Sequence, residues 1–182
     1  MALTDGMRIW REINEDVYIA AYGSNLVENR MVTRCPSAVP VGTSVICGYR
    51  MLFKQSMTGA YATIEQDANR HVPVLIYKVT AEDEARLDRF EGFPKYYRKQ
   101  EFYLPVKTLD GKKRRKRISC IAYIMREHRM LGEPGVEYFS LLDEGYSRWG
   151  FDHEILFLAL DDSIGKKEST KWLNRFYEEN AT

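Results

Sequence analysis

Two short segments of the chain combine residue types that can do chemistry. The first is Tyr22-Gly23-Ser24-Asn25-Leu26, which follows the apolar stretch Val17 to Tyr22. A strand that ends in a glycine turn and runs into a helix start points several backbone N–H groups at one spot, and such a spot suits a carboxylate or an oxyanion. The same residues also fit a plain strand-to-helix turn with Ser24 or Asn25 as the cap. The second segment is Leu87-Asp88-Arg89-Phe90-Glu91-Gly92-Phe93-Pro94-Lys95-Tyr96-Tyr97-Arg98. Here Glu91 sits among aromatic residues where a helix must give way to a turn. A carboxyl desolvated by rings has its pKa raised, which fits it for proton transfer near neutral pH. An exposed glutamate at a helix end is the competing reading.

The elements that would position these groups can be read from the surrounding pattern. After the loop, a helix from Leu26 to about Val32 must stop before Cys35-Pro36, because proline drives its predecessor out of the α region. Val39 to Phe53, interrupted by Gly42 and Gly48, reads as extended chain with bulges or bends. Tyr61 to Ile64 and Val72 to Val79 read as two further strands. Thr80 caps a helix with Asp83 at its third position, and that helix ends at Gly92. Phe102 to Val106 and Ile118 to Ile124 form the arms of a hairpin turning at Leu109-Asp110-Gly111. Tyr138, Phe139, Leu142, Tyr146 and Trp149 recur at helical spacing after Pro134-Gly135, with Gly150 as the stop. Asp152 starts another helix through Leu160, and Lys166 to Thr182 is a charged amphipathic tail that either docks or dangles. Together these predict an α+β fold, a small mixed β-barrel with helices packed outside it.

With 182 residues, 45% hydrophobic and 29% charged, the chain is expected to form one globular domain. A net charge of +1 supplies no overall field for nucleic acid or an anionic membrane. The dense basic run from Lys112 to Arg117 is read as a solvated hairpin tip that discourages edge pairing, with phosphate contact or a localisation signal as the alternatives. No apolar run approaches the length of a membrane span, and the first 16 residues lack the apolar core of a secretory signal, so the expected location is the cytoplasm. Cys35, Cys47 and Cys120 show no CxxC spacing and are read as reduced packing residues. His71, His128 and His153 show no metal-ligand spacing. The context of Ser24 lacks GxSxG, and neither GxGxxG nor a Walker loop occurs.

The two segments, in this order, resemble those of the γ-glutamylcyclotransferase-like family, whose members carry a YGSNL-type loop and later an LDxxEGxPxxYxR-type stretch. The resemblance extends through Arg34-Cys35-Pro36-Ser37-Ala38, Gly42 to Phe53, Ala62-Thr63-Ile64, Pro73 to Val79, Ala122 to Met125 and Tyr138 to Phe151, covering roughly Val17 to Leu160. It implies a mixed barrel with a cavity above it, and an enzyme that needs neither metal nor cofactor. The implied reaction closes a γ-glutamyl group to 5-oxoproline through its own α-amine, releasing an amine or amino acid. By the same resemblance Glu91 matches the catalytic acid/base, and Tyr22, Gly23, Ser24, Asn25 and Leu26 match the substrate loop. Tyr97 and Tyr138 align with pocket-lining tyrosines, while Tyr123 fits either pocket or core. The small-molecule substrate would be a γ-glutamyl amino acid, peptide or amine, glutathione included. No nucleic acid or membrane partner is implied. The ends, Met1 to Asp16 and Ile164 to Thr182, match nothing in the family and are candidates for oligomerisation, a homodimer among the options, or for binding a partner. A binding module of the same fold without turnover is the alternative class.

Overall fold

The computed structural model describes residues 16–110 and 116–180. Five strands close into a mixed barrel: β1 (Val17–Ala21), β2 (Val39–Gln55), β3 (Ala60–Val79), β4 (Tyr97–Thr108) and β5 (Lys116–Met125). Their order around the barrel is β1-β3-β2-β4-β5. All pairings are antiparallel except the closing one, where β1 lies parallel to β5 with Ile19 opposite Ile121. Closure leaves the short β1 with a neighbour on each side, so its C-terminal end is fixed within the barrel wall. That end is where the loop at Tyr22 begins.

β2 and β3 differ from the sequence expectation in length. Tyr61 to Ile64 and Val72 to Val79 are not separate strands but the two ends of one 20-residue strand. The polar stretch between them, Glu65 to His71, reads as a loop by composition. In the fold it continues the ladder, with Gln66 opposite Tyr49 and His71 opposite Cys47, and its side chains are exposed or half-buried. β2 keeps its own continuity by the bulging expected at its glycines. The register shifts between Pro40 and Gly42 and between Cys47 and Tyr49, and Gly48 takes the left-handed conformation at φ 77°. Cys35 and Cys120 are buried as packing residues, whereas Cys47 is exposed, because it follows the inward-facing Ile46 on a strand whose side chains alternate.

Among the described residues, five α-helices pack around the barrel: α1 (Glu28–Arg34), α2 (Ala81–Glu91), α3 (Val136–Trp149), α4 (Glu154–Ile164) and α5 (Lys166–Asn180). The first helical piece starts later than the sequence suggests. Ser24–Leu26 forms a single 3₁₀ turn, and α1 begins only at Glu28 and then runs to Arg34, just before Cys35-Pro36. Thr80 caps α2 by accepting the Asp83 amide at 3.2 Å, as its sequence position predicts. Both α2 and α3 stop at a glycine in the left-handed region, Gly92 at φ 65° and Gly150 at φ 66°. In each case the next residue reaches back: the Phe93 amide donates to Asp88 O and the Phe151 amide to Tyr146 O, both at 2.9 Å. These are the paired bonds of a Schellman stop, which a residue with a Cβ enters only at a cost.

The tail docks. α5 buries Trp172 and Phe176 against Phe139 of α3, with ring centroids 4.8 and 5.1 Å from that phenylalanine. Edge-to-face packing of this kind adds about 0.5–1.5 kcal/mol beyond the area buried. α4 is tied to β2 by Ser163, whose hydroxyl accepts the Phe53 amide at 2.8 Å. Of the basic turn, residues 111–115 lie outside the described residues, as do 1–15. No described helix is long and apolar enough to cross a membrane.

Candidate functional site

The loop at the end of β1 and the end of α2 meet at one cavity. Tyr22, Gly23, Ser24 and Asn25 line it from one side and Glu91 from the other, around a volume of about 350 Å³. Asn25 Nδ2 donates to Glu91 Oε1 at 3.5 Å. Residues 66 positions apart are therefore within hydrogen-bond reach. Tyr97 and Tyr138 line the same space, joined by Tyr61 and Tyr123. Leu26 does not. Its side chain is 0% exposed, because the 3₁₀ turn directs it into the core beneath α3.

Each member is held by identifiable contacts. Glu91 is the last residue of α2, and the Schellman stop at Gly92 fixes the direction in which the chain leaves it. One turn earlier, Asp88 anchors the helix to the barrel by accepting from Tyr123 Oη at 2.6 Å and Lys99 Nζ at 2.8 Å. On the loop side, the Tyr22 hydroxyl donates to the backbone carbonyl of Tyr123. Tyr138 Oη accepts the Ala62 amide at 3.1 Å, and its ring packs edge-on against Tyr61 at 4.9 Å. A Cβ at Gly23 would come within 3.2 Å of Tyr138 Oη, so glycine is what lets the loop lie against that tyrosine.

The loop also rests on α3. Leu26 packs under Gly145, where an added Cβ would fall 2.5 Å from Leu26 Cβ, and the Leu26 carbonyl accepts from Trp149 Nε1 at 2.8 Å. Gly145→Ala sets two effects against each other. Alanine gains about 1 kcal/mol of helix propensity, but the overlap costs about 1–3 kcal/mol as the loop or helix shifts. The expected net result is a lower melting temperature together with weaker ligand binding in the cavity, because Leu26 carries the displacement into Asn25. Unchanged ligand binding would show that the loop does not depend on this contact.

Arg34 is a cavity-lining residue that sequence reasoning did not single out. It stands at the end of α1, where a basic side chain is equally well explained as a partner for the helix dipole, so its type alone gave no signal. In the fold its guanidinium donates to Asn25 Oδ1 and, at 3.3 Å, to Ser24 Oγ, and it stacks 3.8 Å over the Phe90 ring. Ser37 secures the turn behind it by donating its backbone amide to Asp83 Oδ2 at 2.6 Å, which pins the end of α1 to the start of α2. Arg34 thus braces the loop from beneath while facing the carboxyl.

The electrostatics follow from this arrangement. Burial among aromatic rings pushes the Glu91 carboxyl up from its ordinary value to about 7, against the opposing pull of the Arg34 charge and the Asn25 hydrogen bond. Tyr22, Tyr97, Tyr123 and Tyr138 are all raised above the ordinary phenol range, chiefly by burial, and so remain neutral donors at physiological pH. The cavity therefore holds one group that can take and return a proton near neutrality, surrounded by neutral hydroxyls. Among the described residues, no cluster of three or more His, Cys, Asp or Glu side chains is gathered to ligate a metal ion.

The barrel, with its helices and its cavity at the β1 end, is a γ-glutamyl cyclotransferase-like fold. A solved γ-glutamyl cyclotransferase superposes with a TM-score of 0.67 at 26% identity, covering 77% of this chain and 83% of that one. An uncharacterised protein from Homo sapiens superposes with a TM-score of 0.66 at 27% identity, covering 78% and 84%. In sequence, the γ-glutamylcyclotransferase of Bos taurus is 28% identical over 141 residues, 74% of this chain and 72% of that protein. The family described as γ-glutamyl cyclotransferase, AIG2-like, matches residues 19–141, and the chain belongs to it.

Proposed function

We infer that the protein is a γ-glutamyl cyclotransferase, with Glu91 as its general acid/base and the Tyr22-to-Asn25 loop as its substrate cradle. The observation that carries this reading is the single cavity shared by a carboxyl raised to about 7 and the loop at the end of β1. Glu91 carboxylate removes a proton from the α-ammonium of the γ-glutamyl group, and the freed amine attacks the γ-carbonyl carbon. A C–N bond forms, the carbonyl electrons move to oxygen, and the tetrahedral intermediate collapses. The bond to the leaving nitrogen breaks as Glu91 returns its proton to that nitrogen, and the regenerated carboxylate then takes the surplus proton that attack left on the ring nitrogen and passes it to the departing amine. The products are 5-oxoproline and a free amine or amino acid, with no water consumed.

Physical economy supports the assignment. Nucleophile and electrophile belong to one molecule, so the protein need only fold the substrate into reach, and effective molarities of about 10⁵–10⁸ M become accessible. The 3₁₀ turn at Ser24 leaves its first amides without carbonyl partners inside the turn, which suits them to the substrate carboxylate or to the developing oxyanion. The neutral Tyr138 hydroxyl, which accepts the Ala62 amide and keeps its own proton, adds a donor that does not compete for the proton.

The test is a panel of γ-glutamyl amino acids, peptides and amines, each assayed for 5-oxoproline beside its N-acetylated counterpart. The free-amine compounds are expected to be turned over and the acetylated ones to be inert, because acetylation removes the nucleophile. Cleavage of both would indicate hydrolysis by water, and cleavage of neither would favour a binding module.

A further inference from the structure

A second, wider depression opens beside the cavity on the outer side of α1 and α2. It is lined by Asn29, Arg30, Thr33, Arg34, Arg86 and Phe90, and it is contiguous with the cavity, since Arg30, Arg34 and Phe90 belong to both. The groove therefore leads outward from Glu91. A substrate whose γ-glutamyl end occupies the cavity has its other end directed to the mouth, and this groove is an available path.

The charges along the path are of one sign. Arg30 and Arg34 stand four residues apart on α1 and so share a face of that helix. Arg86 is already neutralised by Glu82 at 2.7 Å and Asp83 at 3.3 Å, and Arg34 is occupied with the loop. Arg30 is different. It is exposed, and among the described residues its guanidinium has neither a hydrogen-bond nor an ion-pair partner. No acidic residue lines the groove, and Glu91 is the single acid lining the cavity. An anion at the mouth would meet a free guanidinium able to bind it through two N–H groups, whereas a cation would be repelled by two arginines.

We propose that Arg30, at the junction of cavity and groove, selects substrates whose leaving portion carries a carboxylate, so that γ-glutamyl amino acids and peptides are preferred to γ-glutamyl amines. This rests on the cyclotransferase reading and adds to it the class of leaving group. The carboxylate of the leaving amino acid lies on Arg30, and Phe90, 56% exposed, offers its ring to the adjoining side chain. Arg30 is a specificity determinant with no part in the proton transfers.

The experiment measures binding by calorimetry in a Glu91→Gln background, where substrate stays intact. Three ligands that differ only in the leaving portion are compared: γ-glutamylalanine, its decarboxylated counterpart γ-glutamylethylamide, and γ-glutamyl ethylenediamine, which carries a positive charge. The carboxylate ligand is expected to bind about three- to tenfold more tightly than the ethylamide, the range spanned by a partly exposed charge-assisted pair. Adding Arg30→Ala should bring that ratio close to one, and adding Arg30→Glu should invert the order in favour of the cationic ligand. Raising the salt concentration should shrink the preference only where Arg30 is present. Equal binding of the first two ligands, or a ratio indifferent to Arg30→Ala and Arg30→Glu, overturns the proposal while leaving the cyclase reading intact. Binding of none of the three, with no 5-oxoproline formed by the unmodified protein, overturns the cyclase reading and this subsite with it.

Discussion

Replacing Glu91 with glutamine is expected to lower kcat for γ-glutamyl substrates about 100- to 10,000-fold, the usual contribution of a positioned acid/base, with a much smaller change in KM. Glutamine keeps the shape of the side chain and can still accept from Asn25, but it can neither accept the α-ammonium proton nor return one to the leaving nitrogen. The change therefore falls on the transition state rather than on ground-state binding. In the unmodified protein the acid limb of the kcat/KM profile should have its midpoint near 7, where burial places Glu91, because only the carboxylate form begins the reaction. Activity rises as pH passes upward through that point. Full turnover in the glutamine variant would refute the role assigned to Glu91.

The same substitution should make the protein more stable at alkaline pH. A carboxyl raised from 4.5 to about 7 by folding holds its proton more tightly in the native state than in the unfolded chain. Below pH 4.5 both states are protonated and burial carries no charge penalty. Between 4.5 and 7 the unfolded chain releases its proton first, so stability declines as pH rises, and above 7 the full penalty of a buried carboxylate is present. A shift of this size corresponds to at most about 3 kcal/mol at 1.36 kcal/mol per pH unit. Glutamine is neutral throughout and escapes the penalty. Denaturant unfolding should thus show the two proteins diverging from pH 5 to 8, with Glu91→Gln the more stable at the upper end. Parallel curves, or a variant less stable at pH 8, would mean that the carboxyl is not desolvated. A group kept for chemistry at a cost in stability is a familiar trade at functional sites.

Much of the architecture was legible in the sequence because local rules and tertiary demands agree. Thr80 and Gly92 bracket α2 by capping chemistry that needs no knowledge of the rest of the chain, and Gly150 does the same for α3. Gly42 and Gly48 mark real irregularities in β2. Where the reading failed, tertiary pairing had overridden local composition: the polar run from Glu65 to His71 extends because β2 offers it a ladder, not because its residues favour strands. Leu26 shows the same limit at the site. Its place in the loop segment could not reveal that a 3₁₀ turn, rather than an immediate α-helix, would direct it beneath Gly145. Arg34 was hidden for another reason, since its contacts with Ser24 and Asn25 depend on α1 folding back across the loop and on Asp83 holding Ser37. The tail from Lys166 was ambiguous until Trp172 and Phe176 met the rings of Phe139, as amphipathicity predicts a buried face without saying what buries it.

The central claim is that Glu91 exchanges its proton near neutral pH inside the cavity it shares with the Tyr22-to-Asn25 loop. The most direct measurement is a carbon-13 NMR titration of the glutamate side-chain carboxyls, with the Glu91 resonance assigned by its absence from the Glu91→Gln variant. The account predicts a single inflection for Glu91 near 7. An inflection near 4.5, the value of a solvated glutamate, would contradict it.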